Sequence, residues 1–305
     1  VSLDPQIADL IEALDSGFPP VHTMSGSQAR ATIRSRFVPP AEPEAVESVG
    51  DVSIPGGDGP ITVRVYRPAS EAPLPVVVYA HGGGFVFCDL DSHDGLCRNL
   101  ANLLPAVVVS VGYRLAPENR WPAAAEDVYA ATCWAAEHWA DFGGDPTRLT
   151  VAGDSAGGNL AAVTALMARD RGGPALSAQM LIYPMIAADF DTESYRLYGK
   201  GFYNPRPALQ WYWDQYVPSP ADRAHPYASP LQARLDGLPR AVVVIAGHDP
   251  LRDEGVAYAE ALEAAGVSVT RCVFDGGIHG FMTMPMLYIA HEARRQVTRQ
   301  LAALL

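Results

Sequence analysis

One stretch restricts what this chain can fold into more than any other: Val151-Ala152-Gly153-Asp154-Ser155-Ala156-Gly157-Gly158-Asn159-Leu160. The β-prone segment Arg148–Ala152 leads into it, and an alanine-rich stretch from Asn159 to Arg171 follows with strong helix propensity. Strand, tight turn and helix is the setting in which Gly-x-Ser-x-Gly reads as a nucleophile elbow. The Ser then sits in a strained turn that lifts its hydroxyl clear of the backbone. Strand and helix pass so close that only small residues fit two places either side, which Gly153 and Gly157 supply. The helix that begins there aims free N–H groups and its positive dipole end at the place where an oxyanion would form. Glycine is common in this chain, so the pentapeptide alone is only a hypothesis. Its surroundings decide.

Those surroundings repeat a β-α rhythm. Val46–Ile54 and Ile61–Arg67 alternate apolar and polar residues across the turn Pro55-Gly56-Gly57-Asp58-Gly59, and are expected to open the sheet as antiparallel strands. Pro75–Ala80 and Ala106–Val111 are unbroken apolar runs, the signature of strands buried on both faces. Further strands are expected at Leu149–Ala152, Ala178–Tyr183, Ala241–Ala246 and Val267–Phe274. Helices are expected between them and from Met284 to Leu305. The fold class is therefore α/β: a mostly parallel, eight-stranded twisted sheet with helices on both faces and right-handed crossovers. Residues 1–305 read as a single domain. The helical residues 1–45 and the aromatic, proline-broken stretch 185–230 are expected to form a cap, since an insertion of that length exceeds an ordinary connection.

Bulk composition excludes more than it assigns. A formal net charge of −12 is the wrong sign for a nucleic-acid partner. The apolar runs are too short to span a bilayer. Cys88, Cys97, Cys133 and Cys272 lie far apart without paired spacing, as expected of free thiols in a cytoplasmic protein. No secretory pattern is read near the N-terminus.

A nucleophilic Ser needs a base, and the base an orienting acid. In a doubly wound hydrolase both follow the Ser at the ends of later strands. Asp249 directly follows the strand Ala241–Ala246, and His279 lies in the loop after the last strand. Of the eight histidines, His22, His138, His225 and His291 lie away from strand ends, and His93 is expected to cap a helix or face solvent. His248 is expected to point away from its neighbour Asp249. His81 stands at a strand end but precedes the acid, which leaves His279. Asp253 and Glu254 open a helix, where the dipole favours carboxylates, and are given support roles. His81-Gly82-Gly83-Gly84-Phe85 follows the strand Pro75–Ala80, and its glycines allow backbone amides to turn inward. The N–H groups of Gly83, Gly84 and Ala156 are expected to form an oxyanion hole. No phosphate-binding glycine pattern is present. Phe85, Tyr183, Trp211 and Phe281 are expected to touch substrate.

Together, His81-Gly82-Gly83-Gly84-Phe85, Tyr113-Arg114-Leu115-Ala116-Pro117-Glu118, Gly153-Asp154-Ser155-Ala156-Gly157, Asp249-Pro250-Leu251-Arg252-Asp253-Glu254 and His279-Gly280-Phe281 resemble the motif set of the hormone-sensitive-lipase-like bacterial carboxylesterases. The resemblance runs from about residue 60 to the C-terminus. It implies an α/β-hydrolase fold, hydrolysis of short- to medium-chain acyl esters with no cofactor and no metal, a Ser155–Asp249–His279 triad, and a homodimer through the last strand or helix. Arg114 and Glu118 are expected to brace the loop rather than meet substrate. Hormone receptors similar to this family keep the fold and the Ser but lose the His; here the His stands in its motif. Serine peptidases of this fold usually add a propeller or another large domain, which this chain does not repeat or have room for.

Overall fold

The turn Pro55–Pro60 joins two strands whose alternation suits one buried face, β1 (Ser48–Pro55) and β2 (Pro60–Arg67), and they pair antiparallel. The unalternating runs become the sheet's interior: β3 (Leu74–Ala80) is buried along its whole length, as is nearly all of β4 (Val107–Gly112). β5 (Gly144–Asp154), β6 (Ala178–Ile182), β7 (Arg240–His248) and β8 (Val269–Ile278) complete eight strands in the order β1-β2-β4-β3-β5-β6-β7-β8. β2 meets β4 antiparallel, and every later pairing is parallel. This computed structural model describes residues 2–305.

Alternate residues of the inner strands feed two cores. Val76, Val78 and Ala80 face one side, where α4 (Ala123–Glu137), α5 (Ala156–Asp170) and α8 (Arg252–Ala264) pack. Val77 and Tyr79 face the other, covered by α1 (Pro5–Gly17), α3 (Asp94–Leu103) and α9 (Tyr288–Ala302). Apolar area buried on both faces is what makes a parallel sheet stable. α1 starts where its sequence says it should, with Pro5 at the first turn and the Asp4 carboxylate accepting the N–H groups of Gln6 and Ile7.

Three boundaries differ from expectation by four residues or more: β5 begins at Gly144 rather than Leu149, and two others lie nearer the C-terminus. β8 runs on to Ile278 instead of stopping at Phe274, because the strand continues through Asp275-Gly276-Gly277 after a register shift opposite Ala246 and His248. α9 starts at Tyr288, since Pro285 cannot continue a helix and Phe281–Thr283 forms a single 3₁₀ turn. β5, β7 and β8 therefore end directly before Ser155, Asp249 and His279. The crevice outside the carboxyl ends of the strands is where open α/β sheets bind ligands.

The stretch 185–230 holds α6 (Glu193–Tyr198) and α7 (Arg206–Tyr216). Asn159, in the first turn of α5, ties it down at both ends: its Nδ2 donates to the carbonyls of Met185 and Ala228 at 2.8 Å each. The N-terminal segment joins it, with α2 (Gly26–Arg36) following α1. The Tyr203 N–H donates to Asp15 Oδ1 at 3.0 Å, and Phe18 packs edge-on against the Tyr203 ring. Among the described residues no helix is long and apolar enough to cross a membrane. Cys88, Cys97, Cys133 and Cys272 are all free thiols.

Candidate active site

Between β5 and α5 the backbone of Ser155 has φ +56° and ψ −118°, a strained conformation for a residue with a side chain. Its surroundings hold it there. The Ser155 N–H donates to the Ile182 carbonyl at 2.8 Å, and its own carbonyl accepts from Met185 at 3.1 Å. A Cβ on Gly153 would strike the Gly157 carbonyl, and one on Gly157 would strike Ala80, so both positions require glycine.

Ser155 Oγ lies 2.9 Å from His279 Nε2, and His279 Nδ1 lies 2.8 Å from Asp249 Oδ2. Asp249 is fully buried, and its other oxygen accepts the Leu251 N–H at 2.8 Å, which fixes the carboxylate plane. The three side chains come from three different strand ends. One nitrogen of the imidazole is thus anchored and the other is directed at the hydroxyl, the arrangement that general-base activation of a nucleophile requires.

Opposite them, Gly83 and Gly84 have φ of +109° and +59°. A Cβ on Gly83 would meet the Phe87 carbonyl, and one on Gly84 would enter the Tyr212 ring. Among the described residues no protein acceptor takes the N–H of Gly83, Gly84 or Ala156. Gly83, Gly84, Ser155 and His279 line one cavity of about 110 Å³, walled by Phe18, Phe87, Tyr203 and Tyr212.

That wall does not include the four residues expected to touch substrate. Phe85, Tyr183, Trp211 and Phe281 are buried, and none of them lines the cavity. Phe85 stacks on Tyr216 with ring centres 3.9 Å apart, since its positive φ turns the side chain into the core. Trp211 lies one helical position from Tyr212, about 100° round α7. Tyr183 packs behind the His279 imidazole at 5.0 Å, with Phe281 behind it in turn.

Sequence reasoning also missed a polar group. Asp154 is buried beside the nucleophile. Its Oδ1 accepts from the Tyr79 hydroxyl at 2.8 Å and from the Gly82 N–H at 3.0 Å, and stands 3.2 Å from His93 Nε2. Burial works against its ionisation, yet the charge and hydrogen bond of His93, with Tyr79, outweigh it and hold the carboxyl below its ordinary value. His93 stands at the N-cap of α3, as expected, but its side chain makes no capping bond and is buried at the cavity wall rather than facing solvent. A His two residues after Asp91 in a polar turn carries no local signal of this.

The other histidines fall where expected. His248 turns its Nδ1 to the Asp275 carbonyl at 2.8 Å and stacks on Phe202, away from Asp249. His81 stacks on Tyr113, with its Nδ1 2.7 Å from the Gly82 carbonyl. Burial, then the neighbouring His93, push it down to about 4 and keep it neutral. Arg114 forks onto the buried Asp127 at 2.8 and 3.0 Å, and Glu118 pairs with Arg30 of α2, so both brace the loop. Asp253 Oδ2 accepts the Ser194 N–H. Glu254 Oε1 accepts the N–H groups of Ile186 and Ala187, while its buried Oε2 has no partner among the described residues. Among the described residues no group of three or more His, Cys, Asp or Glu side chains is placed to hold a metal ion.

Comparison with known proteins agrees with this architecture. A family described as having the alpha/beta hydrolase fold matches residues 77–283. The carboxylic ester hydrolase LipN of Mycobacterium tuberculosis is 44% identical over 263 residues, 84% of this chain and 70% of its own. Carboxylesterase NlhH of the same organism is 41% identical over 313 residues, 98% of this chain and 96% of its own. The crystal structure of a thermostable esterase from Pseudomonas putida superposes with a TM-score of 0.93 at 38% identity, covering 100% of this chain and 98% of the other.

Proposed function

The chain belongs to the alpha/beta hydrolase fold family, in its hormone-sensitive-lipase-like branch, and is a carboxylic ester hydrolase; on that premise we propose that it cleaves short- to medium-chain acyl esters through an acyl-Ser155 intermediate. The observation that carries this reading is the unbroken run Asp249–His279–Ser155, with contacts of 2.8 and 2.9 Å, facing three uncommitted backbone N–H groups.

In this mechanism Ser155 Oγ attacks the ester carbonyl as His279 Nε2 takes its proton. Asp249 holds the imidazole and stabilises the imidazolium. The negative oxygen rests on the N–H groups of Gly83, Gly84 and Ala156, preorganised by positive-φ glycines and the start of α5. His279 then gives its proton to the leaving alcohol, and activates water to release the acid. No step calls for a cofactor.

The small cavity supports a preference for compact acyl groups, since sites for drug-sized ligands run to ~300–1,000 Å³. Phe18 from the N-terminal segment and Tyr203 and Tyr212 from the 185–230 stretch wall it, which supports a cap assembled from both. The free edge of β8, with Val273 half-exposed, is the surface on which the expected homodimer would form.

Ser155→Ala tests the reading on p-nitrophenyl butyrate. The fold should persist while kcat falls about 10⁴-fold or more. Half the normal rate in a folded variant would remove Ser155 from the mechanism.

A further inference from the structure

Arg294 stands apart from the other arginines of the interior. It is 5% exposed, yet among the described residues it forms no ion pair. Its Nε and Nη2 both donate to one acceptor, the Met282 carbonyl, the first at 2.8 Å. Among the described residues Nη1 has no hydrogen-bond partner. Burial of a guanidinium is costly and lowers its hold on the proton, which nearby groups, the Glu44 carboxylate among them, only partly offset.

The side chain lines a cavity of about 780 Å³ between the segment Phe37–Glu44, the start of α3 and α9. Phe37, Pro39, Pro43, Leu96 and Pro285 give that cavity apolar walls. Carboxylates also line it, but most are committed. Asp91 pairs with Arg64, Asp94 with Arg98, and Glu44 with the amides of Asn99 and Asn102. Among the described residues Glu42 has no such partner, and Glu44 keeps its charge, since its partners are neutral amides. Arg294 supplies the buried cationic donor of the cavity, and a second negative charge on a ligand would meet the Glu42 and Glu44 carboxylates.

We propose that this cavity is a binding site for a monocarboxylate with an apolar chain, its carboxylate on the Arg294 guanidinium and its chain along the Phe37–Pro43 wall. Charge-assisted bonds from a partly desolvated guanidinium favour a carboxylate over a neutral head group. The exposed Glu42 and Glu44 carboxylates of the lining select against phosphates and dicarboxylates. Thr283 lines both this cavity and the one at Ser155, so the two are neighbours. The ligand class is read from the donor set and not from the hydrolytic reaction, although ester hydrolysis releases acids of this kind.

The test is calorimetric titration of hexanoate into protein whose Ser155 site is blocked by a phosphonate, with unblocked protein in parallel. One site with a Kd on the order of 1 mM is expected in both. 1-Hexanol should bind at least about tenfold more weakly. Arg294→Met should weaken hexanoate by a similar factor while Arg294→Lys restores part of it. Gly95→Phe keeps the test open should loss of Arg294 unfold the chain: a Cβ there meets nothing within 4 Å, and the ring would occupy the cavity that Gly95 lines while Arg294 itself is left in place. It should abolish hexanoate binding and leave phosphonate labelling intact. Hexanoate binding that equals hexanol binding, or that survives Gly95→Phe unchanged, or no binding to blocked protein, overturns the proposal. Failure of the phosphonate to label would count against the Ser155 reading alone, and the titration of unblocked protein would still decide this one.

Discussion

The N–H of Gly82 donates to Asp154 Oδ1 at 3.0 Å, so the residue before the nucleophile holds the root of the glycine loop that faces it. The elbow and the glycine loop are joined by a buried carboxylate, as well as by the parallel pairing of β3 with β5. On the proposed mechanism this bond sets the distance between the attacking oxygen and the oxyanion donors.

Asp154→Asn should then separate position from fold. The amide oxygen still accepts from Gly82 and Tyr79, but the charge facing His93 is gone. A loss of about tenfold to a hundredfold in kcat with little change in KM is expected, part of the cost of losing a whole oxyanion donor. Asp154→Ala leaves the Gly82 N–H and the Tyr79 hydroxyl unpaired at about 1–3 kcal/mol each, and thermal denaturation should register it. Full kcat in Asp154→Asn would show that the charge facing His93 does not matter to turnover, and full kcat in Asp154→Ala that the bond to Gly82 does not position the loop.

Gly84→Ala should be worse for activity than its size suggests. Its φ of +59° disfavours a side chain, and the added methyl would enter the Tyr212 ring. The loop must shift, and kcat should fall about 10²-fold or more. A steady-state assay checks this, and near-normal turnover would place the oxyanion elsewhere.

Tyr212 closes the cavity over Gly84. Tyr212→Ala should move the acyl-length optimum upward, raising the decanoate-to-butyrate ratio of kcat/KM at least about tenfold, the scale of one or two methylenes. An unchanged chain-length profile would mean the acyl group lies away from α7.

The boundaries of what the sequence reveals run along sequence distance. The elbow, the glycine loop and the residues after β7 and β8 were legible because each is a local pattern tied to a strand end. Whether Phe85 or Phe87, Trp211 or Tyr212, faces the cavity depends on backbone turns and helix phase, which only packing against distant segments decides. The N-cap position of His93 is legible, but its burial against Asp154 is not, for the same reason: the contact is with a residue distant in sequence, and nothing adjacent to it signals that. The end of β8 was read four residues short because Asp275-Gly276-Gly277 looks like a turn, although parallel pairing with β7 resumes at Ile278.

Glu254 makes stability depend on pH. Burial raises its carboxyl well above the ordinary 4.5, so the folded chain keeps a proton that the unfolded chain gives up. That stabilisation is complete below the unfolded value and is lost as pH rises toward the folded one. Glu254→Gln keeps the acceptor for Ile186 and Ala187 and cannot ionise. Its Tm advantage over the natural chain should grow from about pH 5 to about pH 9. A constant difference would show that Glu254 does not change protonation over that range.

On the proposed mechanism Ser155 is the covalent centre. Intact-mass spectrometry after treatment with a fluorophosphonate, followed by peptide mapping, reads this out residue by residue. One adduct per chain is expected, on the peptide that carries Gly153-Asp154-Ser155-Ala156-Gly157, with esterase activity falling in step with labelling. An unlabelled, fully active protein, or an inactivating adduct on any other residue, would contradict it.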